Sequence, residues 1–233
     1  MIDFHSHILP GMDDGAKNSR QSLRMLRAAG EQKVHIQALT PHYYPWRESA
    51  EHFLERREAG VSRLTEKLNA SMPRLLIGAE VAFFPGMAEE RLSELCLDGE
   101  RLLLVELPFE SWGNQVTDVL AELTLDRGYH VILAHVERFI GYGNNRERLL
   151  SLRNLPVTMQ MNCECFIPLL RSRNAVSLAK ELGEFVLGTD AHNLDDRAPN
   201  MEAGRAAVQR KLGDEWLRRI DRCGESLLSE FTE

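Results

Sequence analysis

Cysteine is scarce in this chain. The 233 residues include four, Cys96, Cys163, Cys165 and Cys223, too few and too scattered for a secreted disulfide framework. No apolar run approaches the ~20 residues that span a bilayer. The first residues mix polar and apolar types, with Asp3 directly after Ile2, unlike a secretory leader. A reducing cytoplasm without membrane insertion is the expected setting. Basic blocks are missing as well. Lys and Arg number 28 against 35 Asp and Glu, a net charge of −7, and no basic stripe advertises a nucleic-acid partner. No linker, low-complexity stretch or internal repeat divides the chain, so one domain over residues 1–233 is expected.

What is present is an ordinary globular composition, 43% hydrophobic and 27% charged, which excludes general disorder. Short aliphatic runs recur at "IDFH", "HIQALT", "RLLIGAEV", "RLLLVELP", "HVILAH", "VTMQMN" and "FVLGTD". Stretches of helical period separate them: "NSRQSLRMLRAAGEQ", "RESAEHFLERREAGVSRLTEKLNA", "MAEERLSELCLDGE", "NQVTDVLAELTLDRG", "NNRERLLSL" and "IPLLRSRNAVSLAKELG", with more helix after Asn200. Nearly all-apolar strands alternating with helices predict an α/β fold with a parallel sheet covered by helices. A closed barrel and an open doubly wound sheet both fit this pattern.

The chemistry collects where these strands end. The first ends at His5 and His7, with Asp14 in the following loop, and the second at His42 in "TPH". The third gives Glu80 in "GAE", the fourth Glu106 in "LVELP", and the fifth His135 in "AH", with Arg138 three residues on. The sixth gives Asn162 alone, and the seventh Asp190 and His192 in "TDAH", with Arg197 soon after. In a parallel barrel these ends share one face. Five imidazoles with four carboxylates suit Mn, Fe or Zn. One ion takes about four to six ligands, so two or three ions are implied. Three divalent ions bring about +6 against about −4 from the carboxylates. The excess of positive charge, with two arginines beside it, suits a phosphate. Clustered metals can activate water and stabilise both oxygens of an in-line displacement.

The motifs "HSHILPGMDDGA", "TPH", "GAE", "AHVER" and "TDAHN", in that order, resemble the polymerase-and-histidinol-phosphatase (PHP) metallohydrolase superfamily. The long first motif is similar to bacterial protein-tyrosine phosphatases of capsule and exopolysaccharide loci, the CpsB/CapC/YwqE type. The resemblance runs from Met1 to about Arg197. It implies a distorted seven-stranded (β/α) TIM-like barrel and three divalent ions, manganese first, with iron, zinc, cobalt and magnesium as alternatives. It implies His5, His7, Asp14, His42, Glu80, Glu106, His135, Asp190 and His192 as metal ligands, and Arg138 and Arg197 as the phosphate clamp. Where the leaving group needs an acid, His42 or a metal-bound water is the candidate. The implied partner is the phosphotyrosine tail of a bacterial tyrosine autokinase that regulates polysaccharide synthesis. Val136 stands where the family has proline, Thr189 where it has serine, and "QMNCECF" where it has small residues; these departures leave every ligand in place and bear on substrate choice. A phosphatase for a small metabolite such as histidinol phosphate, a nuclease, and a non-catalytic metal-stabilised binding module remain as alternatives.

Cys165 and Arg171 have the C-x5-R spacing of cysteine-dependent tyrosine phosphatases. Such a loop binds phosphate through successive backbone N–H groups. Here the intervening residues are Phe166, Ile167, Pro168, Leu169 and Leu170: bulky, without glycine, and with one residue that lacks an N–H. Cys163 and Cys165 also lack a second Cys/His pair at zinc spacing. Neither reading of the thiols is therefore favoured.

Overall fold

Seven passes of extended chain carry nine short strands in the computed structural model, which describes residues 1–97, 99, 101–168 and 172–229. Every strand pairing is parallel. One sheet has the order β1 (Ile2–Asp3), β2 (Ile36–Leu39), β4 (Arg74–Ile77). The other runs β3 (His42–Tyr43), β5 (Glu80–Ala82), β6 (Leu102–Glu106), β7 (His130–Leu133), β8 (Val157–Asn162), β9 (Val186–Gly188). The sheet curls. Phe4 N–H donates to Leu187 O at 3.3 Å, Asp190 N–H to His5 O at 2.8 Å, and His7 N–H to Ala191 O at 2.9 Å, so the first pass lies beside the last.

The expected second and third strands each break in two. Pro41, between β2 and β3, has no N–H to donate. The chain steps there from one sheet to the other, and Gly78 and Ala79 make the same step between β4 and β5. The two breaks stay in register: Gly78 N–H donates to Leu39 O and Glu80 N–H to Pro41 O. His42 consequently sits opposite Glu80.

The helices form where apolar period and capping agree. In α1 (Ser19–Glu31) the Asn18 side chain accepts from Gln21 N–H, and Ser22, Met25, Leu26 and Ala29 are buried on one face. Ser49 caps α2 (Ala50–Thr65) by accepting from His52 N–H, and Phe53 and Leu64 are buried. α3 (Asn114–Ala121) continues as a π-helical turn over Glu122–Asp126. α4 (Asn145–Ser151), α5 (Arg173–Leu182), α6 (Met201–Leu212) and α7 (Asp214–Ser229) complete the set. The helix expected over "MAEERLSELCLDGE" is absent: its described residues form 3-10 turns at Met87–Glu89 and Ser93–Leu95. These turns still bury Met87 and Leu95, so the apolar spacing served packing without a continuous helix.

Leu102, Leu103, Leu104 and Val105 are all buried. Leu103 and Val105 belong to the apolar cluster that includes Val116 and Leu120 of α3, and Leu102 and Leu104 to a second one with Ala38, Ile132 and Val186 of other strands. Each such side chain contributes about 1.5–3 kcal/mol relative to exposure. No helix among the described residues is long and apolar enough to cross a membrane.

Candidate metal centre

The site is built where the strands of the curled sheet end. Two of its residues have left-handed backbone, His135 at φ 33° and Asp190 at φ 52°. That conformation is costly for residues other than glycine and persists where surroundings enforce it. In both cases a strand has just ended, β7 before His135 and β9 before Asp190.

All nine expected ligands come together. Four overlapping groups each bring their ligand atoms within 4.8 Å of one another: His7, Asp14, His42 and His192; His5, His7 and Asp190; His5, Glu80 and His135; His42, Glu80 and Glu106. Glu80 is the hub. Its Oε2 lies 2.7 Å from His42 Nδ1, 3.2 Å from His5 Nε2 and 3.4 Å from His7 Nε2, and its Oε1 lies 2.9 Å from His135 Nε2. Glu106 reaches His135 Nε2 at 3.3 Å. Asp190 Oδ1 faces His7 Nε2 at 3.4 Å and His192 Nδ1 at 3.5 Å. Asp14, whose side chain is 65% exposed, stands at the edge, 3.4 Å from His192 Nε2 and 3.7 Å from His42 Nε2.

The hydrogen bonds behind the ligands decide which ring nitrogens face inward. His135 N–H can only donate, so the Gln160 atom at 2.8 Å is an acceptor. The same Oε1 takes His5 Nδ1–H at 3.0 Å, which leaves the His5 Nε2 lone pair free. Asp13 Oδ2 accepts from His7 Nδ1–H at 2.7 Å, freeing His7 Nε2 likewise. The two Nε2 atoms face each other at 3.1 Å, a spacing that a proton on one of them satisfies in the ion-free protein and that a bound cation would satisfy in its place. His192 Nδ1–H donates to Asp190 O at 2.9 Å, and its Nε2 is buried without a hydrogen-bond partner, as are His42 Nδ1 and Glu80 Oε2. The last two are only 2.7 Å apart yet off the hydrogen-bond axis. Buried donor atoms that converge without bonding one another fit divalent ions.

Electrostatics agree. Burial pushes His135 down, but Glu106 and Glu80 outweigh it and raise its pKa to about 9. Burial is likewise overcome at His7 by Asp13, and at His42 by Glu80, so both are raised. For Asp13, burial pushes up and the His7 charge pulls down harder, to about 2. His192 goes the other way, to about 4, through burial and the His7 charge. The carboxylates attract positive charge strongly enough to hold protons on buried imidazoles, as they would hold cations.

Arg138 and Arg197 stand beside this cluster. Each donates through Nη2 to Asp190 Oδ2, at 2.7 and 2.9 Å, and Asn162 Nδ2 donates to the same oxygen at 3.0 Å. A guanidinium has five N–H donors, so both retain donors for a further anion. A cavity of about 410 Å3 opens over His42, Glu106, His135, Arg138, Asp190 and Arg197.

Sequence reasoning missed four residues that position the ligands. Asp13 holds His7 and also accepts from Gly15 N–H and His42 N–H, both at 2.9 Å. Gln160 orients His5 and His135; its signal was the Gln-x-Asn alternation on β8, which puts Gln160 and Asn162 on one face. Asp3 is buried and ties the last pass to the first by accepting from Thr189 N–H at 2.9 Å and Thr189 Oγ1–H at 2.6 Å. Threonine in place of serine therefore keeps the hydroxyl that is used here. Glu137, raised to about 6 by burial, accepts from Asn162 N–H at 3.3 Å.

Two glycines permit close approaches. A Cβ on Gly15 would lie 2.1 Å from His7 O, and one on Gly188 would lie 2.6 Å from Gln160 Nε2 and 2.7 Å from His5 Cβ. Neither Cys163 nor Cys165 belongs to any of the four ligand groups. Cys165 lies in a 3-10 turn, Cys163–Phe166, and burial pushes both thiols well above their ordinary range. Arg171, Leu169 and Leu170 of the C-x5-R spacing lie outside the described residues.

Parallel strands whose ends share one imidazole–carboxylate cluster, flanked by two arginines, define a class: α/β proteins with a candidate polynuclear metal centre. Within it, the family model described as "Capsular polysaccharide synthesis, CpsB/CapC" matches residues 1–225, and the chain belongs to that family. The tyrosine-protein phosphatase YwqE of Bacillus subtilis is 27% identical, with 100% of this chain and 93% of the relative covered. The tyrosine-protein phosphatase CpsB of Streptococcus pneumoniae is also 27% identical, with 91% of each covered. A crystal structure from a study of Bacillus subtilis YwqE and Streptococcus pneumoniae CpsB, described there as unique metal-dependent tyrosine phosphatases, superposes with TM-score 0.81. It shares 24% identity and covers 98% of this chain and 94% of the other.

Proposed function

We propose that this chain is a metal-dependent phosphomonoester hydrolase acting on protein phosphotyrosine. The observation that carries the reading is the convergence of nine imidazole and carboxylate groups, four of which line one cavity together with two arginines. Family membership and the names of the relatives support it. We read the seven passes as a distorted (β/α) barrel of PHP type forming one domain, supported by the hydrogen bonds between the first and last passes. The natural partner on this reading is the tyrosine-rich tail of a bacterial tyrosine kinase controlling capsule or exopolysaccharide synthesis, in the cytoplasm.

His5, His7, Glu80, Glu106, His135 and Asp190 would hold two ions; Asp14, His42 and His192 would hold a third, manganese being the first candidate. When bound, the ions supply Lewis-acid charge that lowers the pKa of a water and neutralises phosphate oxygens. The chain's own groups do the rest. Asp13 and Gln160 fix the tautomers of His7 and His5, so that Nε2 points inward. Arg138 and Arg197 bind phosphate oxygens, and their planar forks favour that geometry over ammonium groups. Asp190 Oδ2 accepts from both arginines and from Asn162 Nδ2, so that one carboxylate oxygen positions the two guanidinium groups. His42 lines the cavity, and its ring nitrogen not used by an ion is one candidate to give a proton to the leaving oxygen. A tyrosine leaving group, with a pKa of about 10, needs less help than an alkyl alcohol.

The test is substrate selection. The manganese-loaded protein should release phosphate from a phosphotyrosine peptide, and not from histidinol phosphate or an oligonucleotide. Hydrolysis confined to either of the latter two would overturn the reading.

A further inference from the structure

Large hydrophobic side chains normally hide from water. Among the described residues four are exposed: Trp46, Phe109, Leu125 and Tyr142. Two of them, Trp46 and Phe109, line the same cavity as Arg138 and Arg197. Tyr44 lines it too. These aromatics are not loosely placed. Tyr44 stacks on His42, with ring centroids 5.2 Å apart and planes 27° from parallel. Phe109 stacks on His135 at 5.8 Å and 23°, and its other neighbour is the buried Phe139 at 5.1 Å. Trp46 packs on Tyr44 at 5.3 Å. Each aromatic wall is thus backed by an imidazole of the metal centre, and the two walls come from different passes, one after β3 and one after β6.

We propose that Tyr44 and Phe109 are the two walls of a slot that holds the phenyl ring of phosphotyrosine, with Trp46 at its rim. They are specificity-determining residues; the inference rests on the phosphatase reading and names what selects the substrate. The arginines fix where the phosphate sits. The first atoms beyond the ester oxygen then lie in the cavity these rings line. A flat ring there covers the aromatic surface that borders the cavity, with the offset or edge-to-face contacts aromatic pairs favour. Arg47 already lies over Tyr44, its guanidinium carbon 4.5 Å from the ring centroid, so the contact at Tyr44 is with the part of the ring Arg47 leaves open. A serine phosphate or a sugar phosphate brings no ring and leaves that surface uncovered. The pocket floor carries the charge common to all phosphate esters; the walls carry the distinction among them.

The test uses two non-hydrolysable ligands on the manganese-loaded chain, measured by calorimetry: a peptide bearing an aryl phosphonate in place of phosphotyrosine, and an alkyl phosphonate. Wild type should bind the aryl ligand more tightly. Phe109→Ala and Tyr44→Ala should each weaken it by roughly three- to tenfold and leave the alkyl ligand unchanged, while Phe109→Tyr retains the preference. In turnover of phosphotyrosine peptide the loss should fall on KM, with kcat little changed. Equal losses for both ligands would mean that the rings only prop up His135 and His42, and would overturn the slot. So would an aryl preference that survives both alanine variants, or its absence in wild type. Preferential aryl binding with no phosphate release from phosphotyrosine would sink the phosphatase reading and leave the slot standing. Phosphate release without a ring-dependent preference would do the reverse.

Discussion

Asp13 and Asp14 are adjacent, and the structure gives them opposite surroundings, one buried and one exposed. Asp13→Asn is the change that separates them. The Asp13 side chain is 8% exposed and accepts three hydrogen bonds: Gly15 N–H on Oδ1, and His7 Nδ1–H and His42 N–H on Oδ2. An amide has one acceptor atom. Turned one way, it satisfies Gly15 and sets its NH2 against two donors; turned the other, it orphans Gly15 N–H. At least one buried donor loses its partner, at about 1–3 kcal/mol. In the first orientation His7 relieves the clash only by moving its proton to Nε2, the nitrogen that faces the cluster. Removing a group that orients a ligand typically lowers metal affinity by about 10–100-fold, or about 1.4–2.7 kcal/mol. Asp13→Asn should therefore weaken manganese binding in calorimetry by that factor and lower the unfolding temperature of the metal-free protein. Asp14→Asn, at a side chain 65% exposed, should weaken binding while leaving metal-free stability within about 0.5 kcal/mol. Wild-type affinity and unfolding in Asp13→Asn would refute the orienting role.

Three further outcomes follow from the geometry. Gly188→Ala drives a methyl group into His5 and Gln160, which should cost about 1–3 kcal/mol in denaturant unfolding and reduce manganese affinity; a neutral effect would contradict the close approach. Because His135 is raised to about 9 by carboxylates that raise His42 as well, with His7 shifted the same way, the cluster holds protons at pH 7 before ions bind. Ion binding must displace those protons, so affinity should rise from pH 6 to 8, with proton release visible by calorimetry in buffers of different ionisation enthalpy; a flat profile would contradict this. Cys163 and Cys165, their thiols pushed up by burial, should alkylate slowly at pH 8 when folded and rapidly in urea, and Cys165→Ser should keep its phosphatase activity.

Much of this arrangement was legible because strand ends carry chemistry while strand interiors carry only packing. Runs such as "RLLLVELP" and "HVILAH" announce a buried parallel strand, and the polar residue that closes each stands out against them. The ordering of the site was less visible. Nothing in "GMDDGA" says which aspartate turns inward, since that depends on His7 and His42 arriving from other passes. Gln160 reads as an ordinary strand residue until His5 and His135 are beside it. The breaks at Pro41 and at Gly78 and Ala79 were written in the sequence, but only the pairing of β3 with β5 shows that they move His42 and Glu80 into register. Tyr44 and Phe109 carry no motif at all. Apolar side chains in loops usually pack inward, and their place on the cavity wall follows from three-dimensional neighbours.

The central claim is that clustered ions held by the nine converging groups drive phosphate release. Metal content by mass spectrometry, paired with phosphotyrosine hydrolysis before and after chelation, tests it most directly. About three ions per chain, activity abolished by chelator and restored by manganese, and loss of both ions and activity in His7→Ala are the predicted result. Chelator-resistant activity that disappears in Cys165→Ser would contradict it.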